Sequence, residues 1–120
     1  IKKFNFRSKS MMRLIEYIFY LSAAEKEDRL RVEIYKDKNR IMEFVVQYEA
    51  KIQSSWHAVV RYDTRHGFAH RDLLHADGSV DKELLGWEDY NLSLTYSMED
   101  LKRNWQKYRQ KFEEELNETK

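Results

Sequence analysis

The sequence reads as one α+β domain of 120 residues: an antiparallel meander of four or five strands, covered on one face by a C-terminal amphipathic helix. Three observations lead there. Apolar and polar residues alternate at period two through much of residues 30–63, the pattern of half-buried strands. Asp77-Gly78 is a strong hairpin signal. From Ser97 to Leu116 the spacing of apolar residues changes to three and four, the stripe of a helix.

The elements follow in order. Residues 1–10 form a basic N-terminal arm with Lys2, Lys3, Arg7 and Lys9, and Arg13 arrives before any acidic residue; the arm need not be ordered. Residues 11–24 fit either a helix, through Met11, Leu14, Ile15, Ile18 and Leu21, or an extra strand; the helix is favoured. Leu30, Val32 and Ile34 alternate with Arg31, Glu33 and Tyr35 in a first clear strand. After the polar turn at 36–40 a longer strand follows. It faces the core with Met42, Phe44, Val46 and Tyr48, continues through Ala50 and Ile52, and turns Glu43, Gln47 and Glu49 to water. Residues 56–63 place Trp56, Ala58, Val60 and Tyr62 on one side and His57, Val59, Arg61 and Asp63 on the other. Residues 68–75 and 80–85 then pair across a type I′ turn at Asp77-Gly78, which requires positive φ at both central residues. Met98, Leu101, Trp105, Tyr108, Phe112 and Leu116 line the last helix, which Ser97 and Asp100 open as a capping box. The acidic run 113–115 opposes that helix's dipole.

Composition narrows the function classes. The 22 basic and 21 acidic residues leave a charge of +1, so no global field draws the chain to nucleic acid; local charge has to do so. Without cysteine there is neither a disulfide nor a thiolate metal site, which suits a reducing compartment. The longest apolar run, Met11 to Leu21, is interrupted by Arg13 and Glu16 and is too short to span a bilayer. No small-residue cleavage site follows it. A cytoplasmic protein without a membrane partner is expected.

All four histidines, His57, His66, His70 and His75, fall within 19 residues, interleaved with arginines and aspartates. In extended chain His66, His70 and Asp72 share parity, and His70 and Asp72 stand about 7 Å apart along the strand. Three kinds of chemistry use such residues. The first is RNA cleavage, in which an imidazole takes the proton of a ribose 2′-hydroxyl and arginines hold the phosphorane. The second is a metal centre of His66, His70 and Asp72. The third is phosphate binding without reaction, by Arg61, Arg65, Arg71 and the arm. The bland alternative is a polar turn in which Asp63 begins an Asx-type turn, Gly67 supplies positive φ and the charged residues are solvated. His57 and His75 fit that alternative, and Trp105, Tyr108 and Phe112 fit core packing.

The run from Trp56 to Ser79, followed by "DLKRNWQKY", resembles small prokaryotic proteins of unknown function that share an R-Y-D-x-x-H-G-x-x-H-R-D signature. It matches that signature at Arg61, Tyr62, Asp63, His66, Gly67, His70, Arg71 and Asp72. Around the R-Y-D strand and the histidines it is also similar to TumE-type toxins of toxin-antitoxin modules. The resemblance implies a toxin-like protein, the residue types suit RNA cleavage, and no metal or other cofactor is expected, because His66 and His70 stand too far apart on a strand unless the turn is unusually tight. In that reading His70 is the base or acid and His66 its partner. Arg61 and Arg71 clamp phosphate, Tyr62 positions, Asp72 orients an imidazole, and Arg65, Asp63 and Gly67 contact substrate. The implied partners are RNA, a small helix-turn-helix antitoxin and further copies of the chain. A non-catalytic RNA- or protein-binding module using the same strand face is the alternative.

Overall fold

The structure, a computed structural model, describes residues 12–118, apart from the side chain of His66; the basic arm at 1–10 lies outside the described residues. Six strands, β1 (Arg13–Tyr20), β2 (Asp28–Asp37), β3 (Arg40–Ile52), β4 (Ser55–Asp63), β5 (His70–Leu74) and β6 (Val80–Leu84), form one antiparallel sheet in chain order. One long helix, α1 (Tyr90–Glu118), crosses one face. The α+β class and the meander match the expectation, with six strands in place of four or five.

The added strand is β1, from the segment read as a helix. It is rich in aromatic and β-branched residues, which fit a pleated surface better than their helical spacing suggests, and it pairs with β2 along its whole length, from Arg13↔Lys36 to Tyr20↔Arg29. As an edge strand it leaves Leu14, Tyr17, Ile18, Phe19 and Tyr20 exposed on its two sides. No helix among the described residues is long and apolar enough to cross a membrane.

Under α1 the core collects Leu30 and Val32 from β2, Phe44, Val46, Tyr48 and Ala50 from β3, and Val60 and Tyr62 from β4, all essentially buried. One irregularity changes the reading of β4. A bulge sets Tyr48 opposite Val60 but Glu49 opposite Ala58, so Val59 is an extra residue and the side-chain parity reverses across it. Trp56, expected in the core beside Val60, lies instead on the other face beneath the Arg29 guanidinium, 3.7 Å from its ring centre. His57, expected on the outer side, stacks against Phe112 of the helix.

Helix α1 starts seven residues before the expected Ser97. Its cap is Asp89, whose carboxylate accepts from the backbone N–H of Asn91 and Leu92. Ser97 lies inside the helix and donates its hydroxyl to the Ser93 carbonyl. Both serines are fully buried, and their small side chains let the first turns settle on the sheet. Polar pins hold the rest: Tyr48 donates to Asp28, which also receives Arg109, and Tyr62 donates to Asp100.

The hairpin at Asp77-Gly78 forms, but not as type I′: only Gly78 has positive φ (91°), and the His75 carbonyl accepts from its N–H. The two-residue turn with positive φ at both positions is Gln53-Ser54, at 54° and 69°. No glycine marks it.

Candidate functional site

Strand alternation divides the signature between the two faces of the sheet. Arg61 and Asp63 on β4 and His70 and Asp72 on β5 point away from α1; Tyr62 and Arg71 point toward it. The antiparallel register sets Asp63 directly opposite His70 and Arg61 opposite Asp72. The link between them is short: Thr64, a 3-10 turn at Arg65–Gly67 made possible by φ of 86° at Gly67, then Phe68 and Ala69. Asp63 helps to shape it by accepting from the Arg65 N–H at 3.2 Å, the Asx-type bond that the bland reading anticipates.

The result is a buried cluster of three groups. His70 Nε2 is 2.8 Å from an Asp63 carboxylate oxygen and 4.0 Å from one of Asp72, with side chains only 8%, 4% and 6% exposed. The other ring nitrogen, Nδ1, is 3.1 Å from the Phe68 carbonyl, an acceptor only, so Nδ1 carries the proton and donates. Nε2 is therefore the nitrogen aimed at the two carboxylates. Lys82, opposite Asp72 on β6, donates to both of its oxygens at 3.1 and 3.3 Å.

Beside the cluster a row of polar side chains crosses the face opposite α1. Successive pairings align Arg31, Gln47, Arg61, Asp72 and Lys82, one residue from each of β2 to β6. At about 4.8 Å between strands the row is roughly 19 Å long. Arg61 donates to Gln47, and Gln47 to Glu49, which also receives Arg29 and Arg31. Glu49, expected to face water, is thus buried beneath two arginines. Burial pushes its carboxyl up, but the bonds from Arg31, Arg29 and Gln47 outweigh that and hold it below the usual carboxylate range.

On the helix side Tyr62 and Arg71 belong to a different network. Tyr62 and Tyr108 both donate to one Asp100 oxygen, at 2.6 and 2.8 Å, and Arg71 donates to the Tyr108 hydroxyl at 2.9 Å and pairs with Glu83. Burial, then the bond to Asp100, raises the Tyr62 phenol and pushes Tyr108 up to about 12. Both stay protonated at neutral pH. His75 spans Glu115 of the helix and Asp81 of β6, at 2.8 Å to each, and their hydrogen bonds raise its pKa.

Of the residues named from sequence, the structure brings Asp63, His70, Asp72 and Arg61 together, sets Arg65 and Gly67 on the adjoining turn, and separates Tyr62 and Arg71 from them by the sheet. His66 has its backbone in the 3-10 turn; its side chain lies outside the described residues. Sequence reasoning missed Lys82 and Gln47 as neighbours of the site and the direct Asp63–His70 pairing. Counting outward from the Gly67 turn is the signal that could have found that pairing.

The domain family described as a domain of unknown function (DUF7718) matches residues 8–118, and the chain belongs to it. The search of curated proteins returns no match, nor does that of solved structures.

Proposed function

We propose that this member of the DUF7718 family engages RNA on the face of its sheet opposite α1 and cleaves it at the Asp63–His70–Asp72 cluster, as the toxin-like component of a two-gene module in the prokaryotic cytoplasm. The observation that carries the reading is the position of a buried acid–base cluster beside a cross-strand row that includes Arg31, Arg61 and Lys82. Guanidinium and ammonium groups on every second strand, about 10 Å apart, can contact phosphates of an RNA backbone laid along the row, and Arg61 beside Asp72 sets one phosphate against the cluster. In the reaction the ribose 2′-oxygen forms a bond to phosphorus while the bond to the 5′-oxygen breaks. The cluster accepts the 2′-hydroxyl proton, a protonated group returns one to the leaving oxygen, and the products are a cyclic phosphate and a 5′-hydroxyl.

Tyr62 and Arg71, given catalytic roles in the signature reading, are assigned here to holding the helix. The phosphate contacts are assigned to Arg61, Arg65 and Lys82. A small helix-turn-helix antitoxin, if encoded alongside, would be expected to cover this face.

One observation favours a second reading, a non-catalytic RNA-binding module on the same face: His70 is buried, and Asp63 already occupies its Nε2. Incubating the purified chain with a labelled single-stranded RNA separates the two. Cleavage with a cyclic phosphate end supports the first reading, retention of intact RNA the second, and absence of both removes RNA from the account. Growth arrest on induced expression is the expected cellular counterpart.

A further inference from the structure

The cluster has a feature that acid–base chemistry alone leaves unexplained. In a proton-shuttling dyad the carboxylate holds the ring nitrogen turned away from the substrate and leaves the other free. Here a backbone carbonyl holds Nδ1, and Nε2 is turned to two carboxylates, 2.8 Å from Asp63 and 4.0 Å from Asp72. That is the arrangement of a metal-ligating histidine, whose second N–H is donated to a carbonyl or carboxylate that fixes ring and tautomer.

Distances agree. Ligand atoms bound at about 2.1 Å lie about 3 Å apart when adjacent and about 4.2 Å apart when opposite on the ion. The Nε2 separations from Asp63 and Asp72 are 2.8 and 4.0 Å, and one ligand atom from each residue lies within 4.8 Å of the other two. Charge agrees as well. Two carboxylates buried side by side attract a cation, and an anionic phosphate would be repelled by them unless positive charge stands between. Lys82 reaches only Asp72, and its side chain is 62% exposed.

We infer that Asp63, His70 and Asp72 bind one divalent cation, with an imidazole nitrogen and two carboxylate oxygens as ligands. The mixed donor set selects a first-row ion such as Mn²⁺ or Zn²⁺ over Mg²⁺ or Ca²⁺, which prefer oxygen alone. Three protein ligands leave positions for water or a phosphate oxygen. This replaces the cofactor-free expectation from sequence. Its catalytic use rests on the RNA reading, whereas binding of the ion does not.

The test titrates the full chain with Mn²⁺ without RNA and follows the free-ion paramagnetic resonance signal. One equivalent should bind, and Asp63→Asn and His70→Gln should each weaken it about tenfold or more. Lys82→Ala changes an exposed residue, so the fold is preserved, and removal of the competing ammonium should tighten Mn²⁺ several-fold. No saturable single site in the wild-type chain, unchanged affinity in folded Asp63→Asn, or weaker binding in Lys82→Ala overturns the proposal. If Mn²⁺ binds at one site and RNA stays intact, the cation site stands and the RNA reading falls. If RNA is cut equally in chelator and Mn²⁺ does not bind, the cation site falls and the RNA reading stands.

Discussion

The two faces of the sheet use the same short signature for opposite purposes. On the covered face Tyr62 and Arg71, neighbours across β4 and β5, join Asp100 and Tyr108 to fasten a 29-residue helix. On the other face Asp63, His70 and Asp72, one residue away along the same strands, converge on each other and fasten no helix of the described residues. Two arginines show the difference. Arg71 bonds inward to Tyr108, whereas Arg61 lies in the open row beside Gln47. In a strand, the side that a residue takes decides its role more than its place in a motif.

Breaking the covered face should have the largest effect on stability. Asp100→Ala leaves the buried Tyr62 hydroxyl and that of Tyr108 without their shared acceptor, and at about 1–3 kcal/mol for each orphaned group the loss should be about 2–6 kcal/mol. Chemical denaturation should show it as a lower midpoint with unchanged slope. RNA binding per folded molecule should not change, and a parallel loss of binding would mean that the two faces are not separate.

Breaking the row comes next. Arg61→Ala should weaken RNA binding several-fold and lower its salt dependence by about one phosphate contact, while stability changes by less than about 1 kcal/mol. Titrations at several salt concentrations check this, and an equal effect from Arg71→Ala on folded protein would erase the distinction.

The smallest effect concerns pH at the far end of the covered face. The raised pKa of His75 comes from the Glu115 bond first and the Asp81 bond second. A raised folded pKa adds stability that is complete below the ordinary value of 6.5 and is lost as pH rises through the folded value. Hydrogen exchange in the last turns of α1 should therefore be slower below pH 6.5 than its intrinsic rate predicts, and this protection should decline as pH rises above 6.5 through the raised folded value. His75→Gln should flatten the trend.

Much of this contrast was legible in the residues. Period-two runs located β2 and β3, the 3.6-residue stripe located most of α1, and the parity of His70 and Asp72 put both on one face. What escaped was set by long-range geometry. The bulge at Val59 reverses parity within a run that looks continuous, which misplaced Trp56 and His57. The start of α1 is hidden because Ser97 with Asp100 has the pattern of a capping box, although Ser97 and Ser93 lie buried inside the helix, where they serve close packing. β1 carries helical spacing but is held by pairing with β2. Asp63 joins His70 only through the β4–β5 register, which depends on how the Thr64–Ala69 link folds.

The most direct test of the account is the rate of RNA cleavage per folded molecule in Asp72→Asn and Tyr62→Phe, measured side by side against the wild-type chain. The two positions lie on adjacent strands and opposite faces. The account predicts a loss of about tenfold or more in Asp72→Asn and an unchanged rate in Tyr62→Phe. An unchanged rate in Asp72→Asn, or a comparable loss in folded Tyr62→Phe, would contradict it.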